Sequence, residues 1–79
     1  MPKSLFTRKH TQLPKLLTKA RKDANLTQTQ LAQRLGRRQA YISRIERGEG
    51  RIDVVEFLDL AHAIGLNPAK FIADFDRSA

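Results

Sequence analysis

Between Leu26 and Gly48 the chain has room for two short helices and almost nothing to join them. Thr27 stands where an N-cap belongs. Gln30, three residues on, completes a capping box, and Leu26 with Leu31 forms a hydrophobic staple across the helix start. Leu31, Ala32 and Leu35 fall on one face, and Gly36 supplies the left-handed backbone at which a helix ends cheaply. A second helical stretch runs from about Arg38 to Arg47, with Ile42 and Ile45 turned inward and Gly48 as its stop. Only Gly36, Arg37 and at most Arg38 remain as a connection, so the two helices must meet at a sharp, fixed angle. Ala32 is small because the second of them crosses over it.

The rest of the chain is read against that pair. Apolar residues recur at helical spacing almost throughout and no stretch alternates at period two, so the sequence predicts an all-α fold of about five short helices. The first carries Leu13, Leu16, Leu17, Ala20 and Ala24 on one face. Its start is open. Pro14 suits a first turn and a start near Thr11 or Gln12. Leu5, Phe6 and His10 extend the stripe backwards, which places Pro14 in mid-helix with a kink. Residues 1–11 are therefore a basic arm carrying Lys3, Arg8 and Lys9, or an early helix turn, and residues 12–79 form the five-helix domain. The fourth helix repeats the capping logic with Asp53, Glu56 and the staple Ile52–Phe57. It turns Phe57, Leu58, Ala61 and Ile64 inward and ends at Gly65. The fifth starts at Asn67 with Pro68 in its first turn and carries Phe71, Ile72 and Phe75.

At 79 residues the chain is one small domain with no room for a second core. It has no Cys, which excludes disulfides, thiolate catalysis and Cys-based zinc sites and suits a reducing compartment such as the cytoplasm. No apolar run approaches the ~18 residues of a membrane span, and Met1 to Phe6 do not read as a secretory signal. The net charge of +7 conceals an asymmetry: residues 1–51 sum to +10 and residues 52–79 to −3. From Ala24 to Ile45 there is no acid, yet Arg34, Arg37, Arg38 and Arg44 lie there. A one-sided basic excess suggests a polyanion as partner, nucleic acid before membrane surface.

Helix, glycine turn and helix make a helix-turn-helix at about residues 27–47. Once Ile42 and Ile45 are turned inward, the second helix exposes Arg37, Arg38, Gln39, Ala40, Ser43, Arg44 and Arg47, side chains suited to base edges and phosphates. The segments Leu26-Thr27-Gln28, Leu31 to Gly36 and Tyr41 to Gly48 resemble the Cro/CI-type (XRE-like) helix-turn-helix family, the five-helix lambda-repressor-like DNA-binding domain. Asp53 to Leu58 and Leu60 to Gly65 are similar to its fourth helix, and the likeness covers about residues 13–76. The resemblance implies that Gln28 contacts a DNA phosphate and that Gln39, Ala40 and Arg44 read bases, with Arg38 and Ser43 as the next base-reading candidates or as contacts to adjoining phosphates. It also implies phosphate contacts by Arg47 and Arg51 on the loop around Gly48 and an internal ion pair between Arg21 and Glu46, while Arg37, as one of two adjacent arginines, is expected to add a phosphate contact of its own. Arg37 stands where the family usually has an apolar residue, and Arg38 where it often has Ser, Thr or Pro.

Other residues read more plainly. Tyr41 either stacks on sugar or base or covers the turn. His10 and His62 lack the companions of a metal site, and Ser43 has no activating base, so neither a metal, a cofactor nor a catalytic group is expected. Phe71, Ile72 and Phe75 are dimer-interface candidates, because one helix cannot bury all three against so small a body. The expected function is sequence-specific binding of double-stranded DNA by a transcription regulator that is not an enzyme: a repressor acting as a homodimer on a palindromic operator. The alternative is a module that holds a protein partner, such as an antitoxin that also represses its own operon.

Overall fold

The computed structural model describes the backbone of residues 2–78 and the side chains of residues 9–78. Five helices follow in order: α1 (Pro2–Asp23), α2 (Gln28–Leu35), α3 (Gln39–Glu46), α4 (Val54–Ile64) and α5 (Pro68–Arg77), with no strand among the described residues.

The caps stand where the sequence places them. Thr27 and Asp53 each accept from the backbone N–H three residues on, and Gln30 and Glu56 return the bond to the cap. Asn67 accepts from the N–H of Lys70. Gly36 ends α2 at φ +67°, and the following Arg37 N–H donates to the Ala32 carbonyl at 2.9 Å, closing the helix end in a Schellman turn. Arg38 is the N-cap of α3, and its side chain makes no capping bond.

The core joins four helices: Leu17 of α1, Leu31 and Ala32 of α2, Ile42 of α3, and Phe57, Leu60, Ala61 and Ile64 of α4. Leu31 and Ile42 are each 1% exposed, so α2 and α3 are locked together through two large side chains sealed in one core. Phe71 brings α5 onto this core, its ring 5.5 Å from that of Phe57.

Two expectations change. Helix α1 takes the longer of its two readings: it runs from Pro2 straight through Pro14 and does not start near Thr11. An interior proline removes a backbone bond and crowds the preceding turn. Here its ring is buried, and a side chain on Gly48 would sit 3.9 Å from its Cγ, so packing against the α3–α4 loop offsets the helix penalty. Lys9 ties this early part of α1 down by donating from Nζ to the carbonyls of Phe75, Asp76 and Ser78 at the end of α5. On α4, Leu58 is at the surface and Leu60 fills the core position, because residues 57, 60, 61 and 64 form one stripe at spacings of three and four.

Candidate nucleic-acid interface

The interface starts inside the protein. Arg21 of α1 is 7% exposed. It donates from Nε to Glu46 Oε2 at 2.6 Å, from Nη2 to Glu46 Oε1 at 3.0 Å, and from Nη1 to the Leu26 carbonyl at 2.8 Å. One guanidinium thus fixes the last turn of α3 against α1 and the entry to α2, a bidentate pairing that specifies angle as well as distance. Gln28, the first residue of α2, donates to Glu46 Oε1 at 2.9 Å and accepts from Gln39 Nε2. A polar chain therefore runs from the buried Arg21 through Glu46 and Gln28 to Gln39 on the surface. Burial pushes the Glu46 carboxyl up, but hydrogen bonds from Arg21 and Gln28 outweigh it and hold the group below the ordinary carboxylate range.

Around Gln39, the exposed surface of α3 and its flanks carries Arg37, Arg38, Ala40, Arg44 and Arg47, with Ser43 half-buried between them. Arg47 donates to Ser43 Oγ and, through Nε and Nη2, to both oxygens of Glu49. The Glu49 carboxyl is held low by that contact with Arg47. Arg51 is exposed beyond Gly50. Arg34 belongs elsewhere: its Nη1 donates to the Ala63 carbonyl at 2.8 Å, near the end of α4.

Tyr41 covers the turn. Its half-buried ring packs on the core, the Arg37 guanidinium lies 4.3 Å from the ring centroid, and its hydroxyl donates to Glu56 Oε2 at 3.2 Å. Burial, then the bond to Glu56, raises the phenol above its ordinary range, so it stays a donor.

The three dimer candidates separate. Phe71 is half-buried on Phe57, Phe75 is half-buried with Lys9 Nζ 4.7 Å from its ring centroid, and Ile72 is 45% exposed. Val54, Val55 and Leu58 of α4 are exposed as well, at 74%, 67% and 37%. Val54, Leu58 and Ile72 line a groove of about 640 Å³ that Phe57 floors between α4 and α5. Among the described residues no three His, Asp or Glu side chains gather to hold a metal, and no helix is long and apolar enough to cross a membrane. Lys3 and Arg8 have side chains outside the described residues, while Lys9 is engaged at the end of α5.

Sequence reasoning missed three groups. Glu56 was visible as a capping partner, but its bond to Tyr41 joins residues 15 apart in sequence. Glu49 had a local signal, an acid two residues after Arg47. Val54 and Val55 had one too, as apolar residues in the first turn of α4 off its inward stripe.

Comparison with known proteins accords with this geometry. A family model described as a helix-turn-helix matches residues 17–71. The fold also matches a solved structure, an XRE-family like protein from Pseudomonas syringae pv. tomato str. DC3000, with a TM-score of 0.89 and 38% identity over 94% of this chain and 90% of that one. No curated protein matches the chain. The fold and its exposed α3 define a DNA-binding helix-turn-helix protein of the transcription-regulator type. More narrowly, the chain belongs to the XRE-type helix-turn-helix family.

Proposed function

We propose that the chain is a sequence-specific regulator that works in the cytoplasm as a homodimer on a palindromic operator and represses by occluding the promoter. It has no enzymatic role in this reading. The observation that carries it is the surface of α3. Gln39, Ala40, Ser43 and Arg44 stand on one exposed helix held rigidly by Ile42 and the Arg21–Glu46 pair, with Arg37, Arg38, Arg47 and Arg51 around them. An α-helix fits the major groove, where Gln reads adenine and Arg reads guanine by paired hydrogen bonds. Gln28, Arg37, Arg47 and Arg51 are the phosphate contacts that set register.

The apolar residues Val54, Val55, Leu58 and Ile72 support self-association, since patches of this kind mark contact surfaces. They serve the second reading equally, in which the same face holds a different protein. Selection of binding sites from random duplexes, followed by footprinting, tests the first reading. A palindromic site with half-sites about 34 Å apart is expected. Binding indifferent to sequence and to Arg44→Ala overturns it. A stoichiometric co-purifying protein, with sequence-specific DNA binding absent, favours the second.

A further inference from the structure

Arg37 stands exposed in the turn between α2 and α3, beside the exposed face of α3, and its surroundings are organised around it. The guanidinium lies over the Tyr41 ring with 4.3 Å between its central carbon and the centroid. The ring is held at two places: the core packs beneath it, and Glu56 Oε2, itself fixed by reciprocal bonds with Asp53 at 3.0 and 2.7 Å, accepts its hydroxyl at 3.2 Å. A guanidinium stacked by its face keeps its edge N–H groups available, and among the described residues Arg37 forms no ion pair. Gly36, Arg37, Arg38, Ala40, Tyr41 and Arg44 line one open groove of about 520 Å³, so three guanidinium groups border a single hollow with no carboxylate in its lining.

The geometry points to Tyr41 as a positioning residue that presents Arg37 to a backbone phosphate of duplex DNA, with Arg38 and Arg44 bordering the same hollow. This deepens the DNA-binding reading and rests on it. A free arginine side chain loses rotamer freedom when it grips an anion, and an arginine already stacked on a fixed ring loses less. Tyr41 therefore raises affinity without touching DNA. Its contribution is sequence-independent, because a phosphate carries no base identity.

The test is a double-mutant cycle read in affinity for a mixed-sequence 30-base-pair duplex across 50–200 mM salt, with thermal melting as a check on folding. Arg37→Ala is expected to lower the slope of log affinity against log salt by about 0.9. Tyr41→Leu is expected to weaken binding about three- to fivefold, the scale of an exposed cation–π contact. In the Arg37→Ala background Tyr41→Leu is expected to change nothing. Tyr41→Phe, which keeps the ring and loses only the Glu56 bond, is expected to stay within twofold of wild type and covers the case in which Tyr41→Leu fails to fold. Equal losses from Tyr41→Leu with and without Arg37, an unchanged salt slope for Arg37→Ala, or a large loss in a folded Tyr41→Phe each overturn the assignment while leaving the DNA reading intact. A wild type that does not bind the duplex overturns both.

Discussion

Gln39 donates its side-chain amide to the side-chain oxygen of Gln28, although the two residues lie on different helices and 11 positions apart. Gln28 turns its own amide to Glu46 at 2.9 Å. The orientation of Gln39 on the surface is thus set by a carboxylate that Arg21 fixes from inside the protein. A side chain held this way offers its remaining donor and acceptor at one angle, which is what paired recognition of a base requires.

The expected result of Gln28→Ala is therefore a loss of discrimination on top of the sequence-independent loss of its own phosphate contact. Without its partner Gln39 samples several rotamers, and the preference for its base pair falls by about tenfold, within the ~1–3 kcal/mol of one paired base contact. The measurement is the affinity ratio between the selected site and the same site altered at that base pair. A ratio equal to wild type means that the Gln28–Gln39 bond does not orient the reading residue.

Arg21 and Glu46 are each 9% exposed at the side chain, so removing one strands the other in poor solvent. Arg21→Met is expected to lower stability by about 3 kcal/mol, or more than about 10 °C in Tm for a domain of this size. The pair also sets an acid limit. Glu46 is held below its unfolded value in the folded chain, so its contribution is complete above the ordinary carboxylate range. It is lost as pH falls from about 4.3 through the lowered folded value. Denaturation midpoints from pH 7 to pH 3 should fall more for wild type than for Glu46→Gln, which has no such carboxylate to protonate. Parallel pH curves would remove Glu46 from the acid response.

How much of this was legible in the sequence depends on whether the cause is local. Thr27 with Gln30, Asp53 with Glu56, and the glycines at 36 and 65 are local causes, and the helices they bound stand where the sequence puts them. The resemblance already paired Arg21 with Glu46. What the sequence could not decide depends on distant partners. Pro14 is tolerated inside α1 because its ring is buried near Gly48, 34 residues on. Phe71 and Phe75 are half-buried because α5 lies against Phe57 and Lys9, while Ile72 on the same helix is left out. Tyr41 had two readings of equal standing until Glu56 and Arg37 were seen to engage its hydroxyl and one face.

Lys9 reads in sequence as part of a basic arm and acts in the fold as a cap. Its ammonium group donates to the carbonyls of Phe75, Asp76 and Ser78, at the negative end of the α5 dipole. Lys9→Met keeps a long unbranched side chain and removes the ammonium that lies over the Phe75 ring. The expected cost is about 1–2 kcal/mol of stability, seen in urea unfolding, with no change in the salt slope of DNA binding. Arg51→Ala, at an exposed position, should do the reverse, lowering the slope by about 0.9 at little cost in stability. A lowered slope for Lys9→Met would return that residue to the DNA.

Val55 and Ile72 are 67% and 45% exposed, so an acid at either position reaches solvent in the monomer; Val55→Asp should change folding stability by less than about 0.5 kcal/mol, and the more covered Ile72→Asp should cost about 1 kcal/mol. In a dimer joined through the α4–α5 face, the same acid is buried without a partner, which costs far more. Val55→Asp and Ile72→Asp are therefore expected to sediment as folded monomers at concentrations where wild type is dimeric. DNA binding should divide accordingly. Affinity for a single half-site stays near wild type, because α3 is untouched. Affinity for the full palindrome falls by about 10²-fold or more, since the second half-site is no longer engaged as a tethered event. If both variants remain dimeric, the twofold contact lies elsewhere and the groove beside Phe57 is left to another protein.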